Sequence, residues 1–208
     1  MVDIWEGIRK ELRSHNTTYE FLNNISEMMK QYPEFNLDCL SKGQLYSKLW
    51  IINELKRLDL NLGNVGLLCG WYAVIANMLF ENFNIDSIKS YDIDMSCIKI
   101  ADELNIQHVI NNGKFQAITD NINKINLDQF QTIINLSCEH LLDDTWYLNI
   151  QPNTLVILQS NNFTKIEDHV DCVEDEDELI LKYPMKELFY WGKINLNDYD
   201  RFMIIGIK

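Results

Sequence analysis

Nowhere does the sequence carry a G-x-G-x-x-G fingerprint; where its main apolar run turns into a helical pattern, only Gly66 and Gly70 are present. That absence weighs against a dinucleotide site and so against a nicotinamide-dependent dehydrogenase. Positive charge is also scarce, with eighteen Lys and Arg against thirty-one Asp and Glu and a net charge of −13. Such a chain repels phosphate backbones and anionic membranes across a Debye length of about 8 Å, so no nucleic acid and no membrane is expected as a partner. Its densest basic group, Lys42, Lys48, Lys56 and Arg57, is spread by helical spacing over more than one face. No apolar run reaches a membrane span, and residues 1–6 have neither a basic n-region nor an apolar h-region, which predicts a cytoplasmic protein. The five cysteines, Cys39, Cys69, Cys97, Cys138 and Cys172, are odd in number and far apart, which fits free thiols better than disulfides. No His/Cys/Asp cluster has ligand spacing, so no metal is expected. There is no internal repeat.

What is present is enough for a core, since 47% of the 208 residues are hydrophobic. The run Val65-Gly66-Leu67-Leu68-Cys69-Gly70-Trp71-Tyr72-Ala73, continuing into Val74, Ile75, Met78 and Leu79, reads as a buried strand turning tightly into a helix. A second short strand, 87–94, ends at Asp92 and Asp94, where an α/β nucleotide-binding fold holds ribose hydroxyls. Before these lie a helix predicted over 2–13, a capping box from Thr17 to Glu20, a helix stopping before Pro33, and a third led by Ser41. In the third, Leu45, Leu49, Ile52 and Leu55 face inward while Lys48, Lys56 and Arg57 face out. Residues 1–60 are expected to form a helical cap and 61–208 the sheet domain.

Downstream, a helix capped by Ser96 is followed by weak strand signal at Val109-Ile110 and over 115–119. Clearer strands lie at 130–136 and 154–158, with a helix around Trp146, Tyr147 and Ile150 between them, and a terminal antiparallel pair spans 193–207. The run 167–178, with eight acidic residues in twelve, reads as a solvated loop. Together these predict an α/β, Rossmann-like, mostly parallel sheet with helices on both faces and a C-terminal antiparallel hairpin.

From residue 62 onward this order resembles the class I S-adenosylmethionine-dependent methyltransferases. The stretch 65–72 stands where that family has its glycine-rich first motif, and Tyr91-Asp92-Ile93-Asp94 resembles the second, whose acid grips the ribose. Thr119-Asp120-Asn121 is placed like the acidic turn beside the adenine. Ile133 to Asp144, with its Ser137-Cys138-Glu139-His140-Leu141 turn, and then Gln151-Pro152-Asn153 into a strand, is similar to the family's fourth strand and the turn into its fifth. The first motif departs from the pattern, since Leu68 and Tyr72 stand near glycine positions and Trp71 and Tyr72 are bulky where backbone approaches cofactor. Gly-Trp-Tyr, Ser-Cys-Glu-His and residues 158–162 also resemble small methyltransferase-like proteins encoded by bacterial viruses. The resemblance implies S-adenosylmethionine as cofactor, held by Cys69, Gly70, Trp71, Tyr72, Asp92, Ile93, Asp120, Asn121 and Ser137.

Methyl transfer from a sulfonium is an in-line displacement, so alignment, desolvation and sometimes deprotonation of the acceptor are what a protein must supply. Asp92 can hold ribose through charge-assisted hydrogen bonds or be an ordinary strand-end carboxylate, and Gly70 can admit the cofactor or merely make a turn. His140 has the titration range of a general base, although the resembling family uses this turn more to shape the site. His169 sits among carboxylates that favour its protonated form. Lys42 and Gln44, with Lys48, are candidates for reaching over the cleft. Gln159, Ser160, Asn161 and Asn162, just beyond the fifth strand, are candidates for a polar acceptor. No Asn-Pro-Pro-Tyr-type tetrapeptide follows the fourth strand, which argues against base amino methylation. The expected function is methyl transfer to a small polar molecule or a protein side chain; the alternative is an inactive methyltransferase-fold protein that works by interaction.

Overall fold

A computed structural model describes residues 19–111 and 113–208. The helix predicted over 2–13 and the Thr17 half of the capping box fall outside the described residues. Helix α1 (Tyr19–Gln31) ends before Pro33, and α2 (Lys42–Leu58) follows a short 3-10 turn at Leu37–Leu40. Then come β1 (Gly63–Leu68), α3 (Val74–Asn82), β2 (Ile85–Asp92), α4 (Met95–Leu104), α5 (Ile106–Ile110) and β3 (Phe115–Thr119). The second half contains β4 (Thr132–Asn135), α6 (Thr145–Leu148), β5 (Leu155–Asn161), α7 (Glu176–Lys182), β6 (Glu187–Asn195) and β7 (Asp200–Ile207).

The seven strands form one sheet in the order β3-β2-β1-β4-β5-β7-β6. β1 to β5 run parallel, and β7 pairs antiparallel with both β5 and β6. Strand order reverses between β1 and β4, and a crevice opens beyond their carboxyl ends at such a switch point.

The central strands are buried on both faces, and the period of two sorts their side chains between two cores. Leu67, Ile134, Ile157, Met203 and Ile205 pack with α2 and α3 on one face. Leu68, Ile133, Val156, Leu158, Phe202 and Ile204 pack with Trp146, Tyr147, Leu179 and Tyr183 on the other. A third cluster, around Ile25, Phe35, Leu40 and Tyr72, fastens the N-terminal segment to α4.

Several local expectations are corrected by context. Val109 and Ile110 close a helical turn instead of a strand, and Asp94, not Ser96, caps α4 by accepting from the Ser96 amide at 2.9 Å. β6 begins at Glu187, ahead of the expected Lys193, because the β6–β7 ladder continues past an irregularity between Leu188 and Tyr190. Part of the acidic run is helical, with Asp175 capping α7 through the Glu178 amide. Among the described residues, no helix is long and apolar enough to cross a membrane, and all five cysteines are free.

The proposed boundary at residue 60 does not divide the cores: Leu49, Ile51, Ile52 and Leu55 of α2 belong to the same cluster as β1 and α3. Helix α2 is thus a layer of the sheet domain, its inward stripe as the sequence spacing predicts. Leu55→Ala should lower stability by about 2 to 5 kcal/mol, the range for a buried leucine truncation. Thermal unfolding should stay a single transition at lower temperature; a separate early transition would mark α2 as an independent unit.

Candidate functional site

The loop from β1 into α3 decides the shape of the crevice. Cys69, Trp71 and Ala73 all have φ near +50°, the left-handed region that glycine enters freely and other residues enter at a cost of about 1 to 3 kcal/mol. Every second residue of the loop therefore has the backbone of a glycine without being one. Gly70, between them, is not left-handed. A Cβ there would lie 2.0 Å from Ser90 Oγ, so the missing side chain lets the loop settle onto β2. The Gly70 amide donates to the Tyr91 carbonyl at 3.0 Å, tying the same two segments.

Asp92 locks this arrangement from the end of β2. One carboxylate oxygen accepts from the Trp71 amide at 2.8 Å and the other from the Asp94 amide at 3.0 Å. A carboxylate has about four acceptor positions, so two protein bonds leave capacity for hydroxyl donors. Beside it Ile93 is 74% exposed, a large apolar side chain at a cleft wall.

These elements border a cleft of about 1980 Å³. All nine positions of the expected cofactor set line it: Cys69, Gly70, Trp71, Tyr72, Asp92, Ile93, Asp120, Asn121 and Ser137. Tyr72 is also core, only 6% exposed and stacked on Phe35 at 5.2 Å, while Trp71 lies over Tyr72 at 4.9 Å. Asp120 and Asn121 sit in a turn in which the Asp120 side chain accepts from the Asn121 amide and Asn121 from that of Asn123. Burial, and then the Asp92 charge, push the Cys69 thiol up to about 12, which leaves a neutral thiol, not a nucleophile.

At the other end of the cleft the expected residues divide. Lys42, Gln44 and His140 line it. Gln159, Ser160 and Asn161 do not: β5 runs on through Asn161 and all three are fully buried. Gln159 donates to the Ser47 carbonyl at 3.2 Å and Asn161 to Glu139, both inside the protein. Asn162 accepts from the Asp200 amide at 2.9 Å, next to the β6–β7 turn. Of the four residues that the sequence suggested as a substrate loop, three are polar core and Asn162 is half-buried.

Lys48 is corrected in the opposite sense. Instead of facing out it is 8% exposed on the cleft wall, with Nζ donating to the Gln44 carbonyl at 3.2 Å and to Gln44 Oε1 at 2.7 Å. Burial first, then the Arg201 charge, lower its pKa to about 7. The neutral amine donates two hydrogens to Gln44 and retains a lone pair.

Arg201, Glu139 and His169 carried no weight as ligands or ion pairs in the sequence. Arg201 Nη2 lies 3.2 Å from Glu139 Oε1 and Nη1 donates to the Leu136 carbonyl at 3.0 Å, a pair buried on both sides. Although no metal-ligating cluster is legible in the sequence, the fold gathers Glu139, His140 and His169 so that one ligand atom of each lies within 4.8 Å of the others. The adjacency of Glu139 and His140 was the only linear signal. The cleft lining as a whole carries seven aspartates, Asp38, Asp92, Asp94, Asp120, Asp143, Asp168 and Asp198, against the basic residues Lys42, Lys48 and Arg201.

No family model matches the sequence, and no curated protein matches it in sequence. Solved structures do match the fold. The N-methyltransferase NodS of Bradyrhizobium japonicum WM9, in complex with S-adenosyl-L-homocysteine, aligns at TM-score 0.62 and 12% identity over 92% of this chain and 99% of that one. The magnesium protoporphyrin IX methyltransferase ChlM of Synechocystis PCC 6803, with bound S-adenosylmethionine, aligns at 0.61 and 13% over 80% of each chain. The methyltransferase domain of bacterial CtHen1 aligns at 0.57 and 13% over 81% of this chain and 99% of that one. With a seven-stranded sheet in this order, its antiparallel strands at the C-terminal edge and its crevice at the β1/β4 switch point, the chain has the class I methyltransferase fold.

Proposed function

We propose that this protein is an S-adenosylmethionine-dependent methyltransferase acting on a small polar molecule or a protein side chain, in the cytoplasm. The observation that carries the reading is the junction of β1 and β2. There a loop left-handed at Cys69, Trp71 and Ala73 is locked to Asp92, whose carboxylate retains acceptor capacity at the mouth of the cleft. Backbone strain of this kind concentrates at ligand sites. The residues fit the cofactor: Asp92 offers ribose acceptors, exposed Ile93 offers an apolar face, and Trp71 in the cleft lining offers a ring that could receive a cationic group. S-adenosylmethionine, when bound, supplies the electrophilic methyl group.

The chain's own contribution is alignment and desolvation, with a base at the acceptor end. Lys48, half neutral near pH 7, is one group there whose lone pair can take an acceptor proton. Seven carboxylates on the cleft wall favour a neutral or cationic acceptor and oppose a polyanion, in keeping with the net charge.

Calorimetry tests the cofactor. S-adenosylhomocysteine should bind and NAD should not, and Asp92→Ala should weaken binding by about 1.5 to 3 kcal/mol, the scale of a hydrogen bond to a charged group. Binding of NAD in preference to both adenosyl compounds would sink the reading.

Stability against pH tests the state of Lys48. Its pKa is about 7 folded and near 10.5 unfolded, so the unfolded chain binds more protons between those values. The penalty of burying the ammonium is fully present below pH 7 and fades as pH rises toward 10.5. Lys48→Met should therefore be more stable than the parent at pH 6, by roughly 1 to 3 kcal/mol given the cost of burying a charge, with the gap closing toward pH 10. A gap that does not change with pH would place Lys48 among ordinary solvated lysines.

A further inference from the structure

Beyond the cofactor end, the acceptor end of the cleft contains an arrangement that methyl transfer by itself does not call for. Glu139 is 1% exposed, and its two oxygens are treated differently. Oε1 accepts from Asn161 Nδ2 at 2.5 Å and faces Arg201 Nη2 at 3.2 Å, while Oε2 is buried with no hydrogen-bond partner. A buried carboxylate oxygen left without a donor is costly, and in native proteins it is normally met by water or an ion.

Both imidazoles nearby are oriented in a way that bears on which. His140 Nδ1 lies 2.9 Å from the Asp168 carbonyl, and His169 Nδ1 lies 2.6 Å from the Phe163 carbonyl. A carbonyl oxygen can only accept, so each ring carries a hydrogen on Nδ1, and in the neutral ring the lone pair is then on Nε2. The rings stand perpendicular with centroids 4.7 Å apart, and both residues line the cleft. Metal-bound histidines are held in the same way, the second ring nitrogen donating to a backbone carbonyl.

We propose that Glu139, His140 and His169 bind a divalent first-row transition cation at the acceptor end of the cleft. Two imidazole nitrogens and one carboxylate oxygen form a donor set that suits Zn²⁺, Fe²⁺, Co²⁺ or Mn²⁺ and leaves coordination positions open toward the cleft. Magnesium and calcium, which prefer all-oxygen sites, fit it less well. The ligand atoms lie within 4.8 Å of one another, and bonds of about 2.1 Å to one ion draw them to roughly 3 to 3.5 Å, a closure within reach of an exposed and a half-buried histidine. Arg201 occupies Oε1 alone, so it neutralises the carboxylate without blocking Oε2. Resting on the methyltransferase reading, the open positions are where an acceptor oxygen would be held and made more acidic.

The test needs no acceptor. The full-length protein, stripped with a chelator, is titrated with Co²⁺ in the absence of any adenosyl compound. One ion per chain should bind, with weak visible bands, and Mg²⁺ should not displace it. His140→Ala and His169→Ala should each lower the affinity roughly tenfold or more, while the circular dichroism and melting temperature of the metal-free variants match the parent. Glu139→Gln also breaks the Arg201 pair, so the histidine variants carry the decision. Absence of saturable binding, binding indifferent to both substitutions, or an intense near-ultraviolet thiolate band placing the ion on cysteine would each overturn the site. Calorimetry with S-adenosylhomocysteine on the same stripped sample separates the two readings: its binding without Co²⁺ binding ends only the metal site, and the converse ends only the methyltransferase reading.

Discussion

The buried ion pair between Glu139 and Arg201 holds the acceptor side of this molecule together. Glu139 belongs to the turn after β4 and Arg201 to β7, and Asn161, at the end of β5, joins them through Glu139. Three strands joined by backbone ladders and shared core packing are thus also linked by polar side chains at the acceptor side. A buried pair of this kind contributes little net stability, because desolvation offsets the attraction, but removing one partner leaves an uncompensated charge. Its value lies in specifying position. With Arg201 fixed, its charge bears on Lys48; with Glu139 fixed, one oxygen pairs with the guanidinium and the other has no hydrogen-bond partner.

The cofactor side is organised by a different constraint. The Asp92 carboxylate receives the Trp71 amide, and the loop accepts three left-handed non-glycine residues to reach it. The same backbone path could be followed by glycines without strain. Here the side chains of Trp71 and Tyr72 extend the stack that begins at Phe35, so the strained loop also anchors the segment before α2. Strain at the loop and packing behind it belong to one arrangement.

The two ends differ in how far the linear pattern reached. Asp92 and the loop from Cys69 to Ala73 were readable because each sits at the end of a strand marked by its own apolar run. Gly70 was legible as a close-approach glycine but not as one approaching Ser90, since which neighbour comes near depends on how β2 lies against β1. The row Gln159-Ser160-Asn161 was misread for a physical reason. Gln159 and Asn161 are buried with distant partners, and Ser47 and Glu139, which accept from them, are 112 and 22 residues away.

By itself the sequence determined the alternation of strands and helices, the terminal antiparallel pair, the inward stripe of α2 and the excess of negative charge. These depend on period, composition and local turn chemistry, all written in consecutive residues. The tertiary structure alone decided that Lys48 is buried on a cleft wall, that Glu139 meets Arg201 across 62 residues, and that His140 and His169 each bring a ring nitrogen within 4.8 Å of the other's and of a Glu139 oxygen. Those outcomes depend on electrostatic and hydrogen-bond partners supplied by other strands and loops, and nothing in a local pattern encodes which partner arrives.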